Sequence, residues 1–244
     1  MRYAERFYRD FDPTDRWTSF RVRIETSDLY IRAGSDLSVP AREKLAELRQ
    51  QIRDHIETQQ SFLTSFEPVE RISGRPEIID RMYLASEETG TGPMASVAGA
   101  IAESVGRALA AESDEIIVEN GGDIWLRLKE PAAVTIFTES LFFKSRVALK
   151  VGPTLSLGIC TSSGKTGPSL SFGRADSVTV ISDDAAFADA AATGTCNLVQ
   201  DETSFGRALD YSFSMQKTRG VVIIHRDKMA VRGDVEITPP AGET

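Results

Sequence analysis

Histidine and cysteine are scarce in this chain, with two of each among 244 residues. His55 lies in a polar helical pattern and His225 ends the strand-like run VVIIH, so neither has the neighbours that a histidine-centred reaction requires. Both read as structural. Cys160 and Cys196 form no Cys-x-x-Cys pair and are too few to build a zinc site. No apolar run approaches the length of a membrane span, and the opening MRYAERFYRDFD lacks the apolar core and small-residue cleavage site of a signal peptide. A cytoplasmic location is the expectation.

Clustered positive charge is lacking too. The 36 acidic and 28 basic residues give a formal net charge of −8, which repels nucleic-acid phosphates and anionic membranes. Arg21 with Arg23, and Lys144, Arg146 and Lys150, alternate with apolar residues and read as solvated strand faces. Neither a nucleic acid nor a membrane is therefore expected as a partner.

What the chain does have is enough apolar mass, 41% of its residues, for a substantial core. No internal repeat or low-complexity linker divides it. The reading is one domain over 1–238, with PPAGET, 239–244, as a disordered tail. Trp17 to Arg32 alternates apolar and polar side chains around Thr26-Ser27-Asp28 and reads as a hairpin at the first edge of a sheet. Ser38 and Pro40 open a helix running to about Gln60, with Leu45, Leu48, Ile52 and Ile56 on its buried stripe. After the break at Gly74-Arg75-Pro76, PEIIDRMYLASEE reads as a shorter helix.

The next helix, GTGPMASVAGAIAESVGRALAAE from Gly90, is lined with small residues. These let a backbone or a ligand approach closely, and the first-turn N–H groups favour an anion. Tight packing on a sheet explains the same composition equally well. EIIVENGGDIWLRL places Asn120-Gly121-Gly122-Asp123 between two strand-like runs, as a hairpin turn whose Asp123 is also able to accept from a sugar hydroxyl or a base. The runs AAVTIF, SRVALKV, TLSLGIC and SVTVI then follow closely, and strands spaced so amid four or five helices point to a mixed α+β domain.

The densest chemistry lies in Gly158 to Asn197. GICTSSGKT resembles a phosphate-binding P-loop, but five residues separate its glycines and Gly167-Pro168 obstructs the helix that must follow, so a P-loop is excluded. Lys165 remains a loop cation facing solvent or touching phosphate. Asp183 or Asp184 caps a helix that sets Asp189 and Thr193 four apart, on one face and in apolar surroundings. A carboxylate buried there needs a partner, either nearby backbone or Arg174, or a hard cation such as Mg²⁺.

GPMASVAGAIAE, VENGGDIWL, ICTSSG and DSVTVISDDAAFADAAATG resemble, in order and approximate spacing, the ApbE superfamily of FAD:protein FMN transferases, and its uncharacterised ApbE-like branch most closely. The resemblance covers roughly Gly90 to Asn197. It implies a T-fold-related α+β domain with helices packed on an antiparallel sheet. It implies Mg²⁺ ligands at the Ala188 carbonyl, Asp189 and Thr193. Contacts to FAD or FMN are implied at Met94, at Asn120, Gly121, Gly122 and Asp123, and at Thr161, Ser162, Ser163, Gly164, Ser171 and Gly173. Two features of ApbE are absent: Gly99 stands where that family has a lysine after Ser-x-Ala, and the short SGKTGPSLSFGRAD replaces a loop bearing a histidine and an Asp-Pro element. Proton handling then falls to Asp176, Ser169 or Ser171, with Asp176 as the catalytic candidate.

Three functions follow from these expectations. The first is a Mg²⁺-dependent enzyme cleaving or transferring a flavin or related nucleotide at its pyrophosphate. The second is a non-catalytic binder of the same small-molecule nucleotide. The third is a sulfur-assimilation protein, suggested by Cys160 and Cys196 flanking the site and by a link between this branch and sulfide assimilation in some archaea. Buried packing accounts for the two thiols as well. A homo-oligomer is compatible with each reading.

Overall fold

The structure is a computed structural model and describes residues 16–144, 146–164 and 173–240. Lys165, Ser169, Ser171 and 241–244 of the expected tail lie outside the described residues, as does 1–15.

Alternating side chains build the first hairpin, β1 (Thr18–Ile24) and β2 (Ser27–Ala33). Ile24 pairs with Ser27, so the turn is Glu25-Thr26, one step earlier than the expected Thr26-Ser27-Asp28. Glu25 adopts a φ of 52°, which lets Ser27 and Asp28 join the strand, where the Asp28 carboxylate pairs with Arg21. Helix α1 (Ser38–Thr58) buries Leu45, Leu48 and Ile52 on the predicted stripe and ends before Gln60, whose neighbours form the single turn α2 (Ser61–Thr64). Helix α3 (Glu77–Thr89) ends at Gly90 in the left-handed conformation, a conformation that suits glycine. A 3₁₀ turn over Pro93–Ser96 leads into α4 (Val97–Leu109).

The remaining elements are β3 (Ile116–Asn120), β4 (Asp123–Leu128), β5 (Ala132–Thr135), β6 (Ala148–Val151), β7 (Thr154–Ser162), β8 (Ser177–Ser182), α5 (Ala185–Leu198), α6 (Phe205–Ser214), β9 (Gly220–His225), β10 (Lys228–Gly233) and β11 (Ile237–Thr238). Eight strands form one antiparallel sheet in the order β1-β2-β3-β4-β7-β8-β9-β10, with the predicted hairpin at its edge. Lys144 and Arg146 fall in the turn before β6 rather than on a strand face, because the strand begins only at Ala148; Lys150 does sit on it, exposed.

The strand period of two sends alternate residues to two cores. Val118, Trp125, Cys160, Val180 and Val221 face the helices, while Leu126, Ile159, Ile181 and Val222 face a small sheet of order β11-β6-β5. Both cores share the one large sheet.

Glycines let α4 lie close to this sheet. A Cβ on Gly106 would stand 2.1 Å from Trp125 Cε3, and that ring is 1% exposed with its Nε1 donating to Ser156 Oγ at 3.0 Å. Gly106→Ala is expected to destabilise the protein by about 1–3 kcal/mol through overpacking, despite the better helix propensity of alanine. Gly206→Ala in α6, where a Cβ meets nothing within 4 Å, is the control and is expected to be neutral or to gain up to about 1 kcal/mol. Urea unfolding of both variants checks the pair; equal midpoints would refute the packing account.

Candidate functional site

The site forms where the β3–β4 turn, the start of α4 and the first half of α5 meet over the end of β7. Asn120 pairs with Asp123 across Gly121 and Gly122, whose φ values of +77° and +110° suit a two-residue hairpin turn and exclude most side chains. Both Asn120 and Asp123 are buried. The Asn120 side-chain amide donates to the Ala98 carbonyl at 3.2 Å, tying the turn to the first turn of α4. Asp123 Oδ1 accepts the Thr161 backbone N–H at 3.1 Å, tying it to β7.

Helix α5 begins at Asp184, whose carboxylate accepts the Phe187 N–H at 3.0 Å; of the two predicted caps, this is the one used. One turn on, Asp189 points at α4 and accepts the Gly99 N–H on Oδ2 at 2.8 Å. Backbone, and not Arg174, therefore satisfies it. Gly99 is required there: its Cβ would lie 2.2 Å from the Ala185 carbonyl oxygen and 2.9 Å from Asp189 Cβ. The small residues of α4 thus serve close packing, and a first-turn N–H of that helix does meet an anion, namely the Asp189 carboxylate.

Burial pushes the Asp189 carboxyl well above the usual carboxylate range, and the nearby Asp123 carboxylate pushes it further, against the lowering effect of the Gly99 and Ala98 N–H groups. Burial, then the charges of Asp123 and Asp189, raise the Cys160 thiol as well. That thiol stays protonated, contacting the Ala185 carbonyl at 3.4 Å, and Cys196 is equally buried and free. Thr193 is buried one turn beyond Asp189 on the same face. The Ala188 carbonyl lies within α5, directed along the helix towards the Ala192 N–H, so it would offer a cation only its second lone pair.

Two carboxylates, a hydroxyl and carbonyls form a hard oxygen set. Among the described residues, no group of three His, Cys, Asp or Glu side chains is placed to hold a metal. This donor set suits Mg²⁺, which needs few protein ligands and fills its shell with water and ligand phosphate, better than it suits zinc.

The other predicted residues distribute as follows. Met94 sits in the 3₁₀ turn that packs against α5. Ser162 ends β7, half-buried Ser163 and Gly164 follow, and the Gly164 N–H donates to the Ala175 carbonyl at 3.0 Å. Gly164 and Gly173 face each other, and a Cβ on Gly164 would lie 2.2 Å from the Gly173 carbonyl oxygen. Asp176 follows Ala175 and leads into β8. Its carboxylate accepts the Arg226 N–H in the β9–β10 turn, where Arg226 has a φ of 57°, a bond that steadies a strained turn. His225 Nδ1 lies 2.9 Å from the Arg174 carbonyl, and His55 Nε2 lies 2.8 Å from the Tyr83 hydroxyl, both outside the site.

Sequence reasoning missed Glu103. It is fully buried on α4, its Oε2 accepts the Ala185 N–H at 2.7 Å, and its Oε1 meets Arg81 at 2.8 Å and Arg107 at 2.7 Å. The available signal was the one that singled out Asp189, a lone carboxylate within an apolar helical run.

The family described as AbpE bacteria matches residues 9–216 of the chain. Similar proteins include a UPF0280 protein of Methanopyrus kandleri, 38% identical over 222 residues that cover 88% of this chain and 90% of that protein. A UPF0280 protein of Methanocaldococcus jannaschii is 35% identical over 230 residues, covering 90% and 92%. Among solved structures, a mutant of the flavin transferase ApbE from Vibrio cholerae superposes with a TM-score of 0.55 at 12% identity, covering 88% of this chain and 96% of that one. The flavinyl transferase ApbE of Pseudomonas stutzeri, in its apo form, gives 0.52 at 13% identity, covering 91% and 96%. At such identities the likeness shows the fold: an α+β, ApbE-like antiparallel sheet with packed helices. No helix among the described residues is long and apolar enough to cross a membrane.

Proposed function

The chain belongs to the AbpE bacteria family, as an ApbE-like member, and on that premise we propose that it binds a flavin nucleotide with Mg²⁺ and acts at the pyrophosphate. The observation that carries this reading is the meeting of Asp189 on α5 with the N-terminal turn of α4, beside Asp123 and Thr161. Asp189 and Thr193 would hold the cation with Asp123 facing them, and the cation, when bound, would offset charge on a phosphate oxygen. The Gly121-Gly122 turn admits the ligand backbone because no side chain guards it. Asn120 and Asp123 keep that turn in place through Ala98 and Thr161.

One observation favours a second reading, binding without transfer. The lysine that ApbE carries at the Gly99 position is not merely replaced; a side chain there would collide with the Ala185 carbonyl and Asp189. The sulfur reading draws no support from two thiols that are buried, one of them with its pKa raised.

Incubation with FAD and MgCl₂ followed by nucleotide chromatography separates these readings. FMN and AMP in equal amounts, abolished by a chelator, are expected for the first. Saturable binding without products would leave the second, and neither binding nor products would overturn both.

A further inference from the structure

Three rings meet where α1, α2 and α3 pack together. His55 on α1 is 2% exposed, and Phe62 of α2 and Tyr83 of α3 stand edge-on to it, their ring centres 4.6 and 5.5 Å away. The direction of each hydrogen bond here follows from the outermost one. Gln59 Nε2 donates to the Glu70 carbonyl at 2.9 Å, which leaves Gln59 Oε1, an acceptor only, for the Tyr83 hydroxyl. That hydroxyl gives its one proton to Gln59 and accepts from His55 Nε2, 2.8 Å away. The hydrogen of neutral His55 therefore sits on Nε2, and Nδ1 keeps a lone pair that is buried without a partner.

The same rings anchor a strap. α2 is a single turn, and Phe62, fully buried, fixes it between His55 and Tyr83. At its far end the backbone lies on the residue before the Pro93–Ser96 turn: a Cβ on Gly92 would stand 1.9 Å from the Ser65 carbonyl oxygen and 3.1 Å from Phe66 Cα. The strap thus connects the histidine to the turn that leads into α4.

The groups facing His55 are Tyr83 from α3, Phe62 from α2, Gln59 from the end of α1 and Arg75 from the connection ahead of α3. Arg71 and Asp80, paired at 3.2 Å, act on Tyr83. Burial, and then the like charge of Arg75, push the His55 pKa below the usual histidine value, against the raising effect of Gln59.

We propose that His55 is an acid-sensitive latch: neutral, it holds the α2 strap against the turn before α4, and a proton taken up at Nδ1 releases the strap. The imidazolium is favoured in the open form, where water solvates it. For a base whose pKa is lowered in the closed form, closure is fully favoured above the ordinary histidine value of about 6.5 and weakens as pH falls below it.

Amide hydrogen exchange of the full chain, corrected for the intrinsic pH dependence of exchange, reads the strap through the Leu63 and Ser65 N–H groups, which donate to Gln60 and Ser61. Between pH 7.5 and 5.0 their protection is expected to fall roughly fivefold or more relative to the amides of β8, and by less than about twofold in His55→Gln, whose side chain is neutral at every pH. No loss in the unmodified protein, or an equal loss in His55→Gln, would overturn the proposal. Should His55→Gln fail to fold, NMR titration decides, because the chain has only two histidines to resolve. His55 is expected as the Nε2–H tautomer with a lowered pKa; an Nδ1–H tautomer, or a pKa that is not lowered, would overturn the latch equally.

Discussion

Glu103→Ala is expected to destabilise the protein by about 3–5 kcal/mol, the cost of removing one partner from a buried charge network. Glu103 is 0% exposed, and its two oxygens serve three elements at once: Arg81 on α3, Arg107 on α4 and the first N–H of α5. Truncation leaves the Arg81 guanidinium, 23% exposed, without its inner partner and an N-terminal amide of α5 without an acceptor. Exposed pairs behave differently. Lys129 and Asp114 are 62% and 70% exposed, and separating them is expected to leave stability nearly unchanged. For a domain of this size, a loss of 3–5 kcal/mol lowers Tm by roughly 10 °C. Thermal unfolding of Glu103→Ala beside Asp114→Ala checks the contrast. Similar small shifts in both would refute the assignment of Glu103 as the tie between α3, α4 and α5.

That tie shows where reading the sequence stops. The ENGGD hairpin is legible because two adjacent glycines between strand-like runs carry their turn chemistry locally, and the structure keeps Asn120 opposite Asp123. The α5 cap and the Asp189–Thr193 face are legible for the same reason, since capping and four-residue spacing are properties of a few consecutive residues. The partner of Asp189 is not legible. Gly99 lies 90 residues away, and a helical pattern records which face is buried without recording against what. The excursion of β5 and β6 between β4 and β7 is hidden similarly: the runs were visible, but nothing local says that β7 returns to β4 while β5 and β6 leave for a second sheet. Gly99 itself read as a missing lysine, and only the 2.2 Å distance to the Ala185 carbonyl shows that it is a packing requirement.

Asp189→Asn is expected to abolish the stabilisation of the protein by Mg²⁺ while leaving the metal-free protein as stable as before, or up to about 1 kcal/mol more so. The two halves of this result have one cause. A buried carboxylate facing Asp123 is held at a cost, which its raised pKa records, and on the proposed reading a cation of opposite charge repays it. Asparagine keeps an oxygen for the Gly99 N–H, fills the same volume and removes the like charge opposite Asp123, which offsets the weaker contact with the Ala98 N–H. The proposed cation, in contrast, would lose a contact charge. With an effective dielectric near 20, Coulomb attraction between a divalent ion and a carboxylate amounts to several kcal/mol, on the order of a hundredfold or more in affinity. Because a ligand stabilises the folded state by RT ln(1 + [L]/Kd), the MgCl₂-dependent rise in Tm should then vanish at concentrations that saturate the unmodified protein. Calorimetry with and without MgCl₂ reads both effects in one experiment. A metal-free Asp189→Asn protein that loses several kcal/mol would make the carboxylate a structural clamp between α4 and α5, and a full Mg²⁺-dependent rise in that variant would move the cation away from α5 altogether.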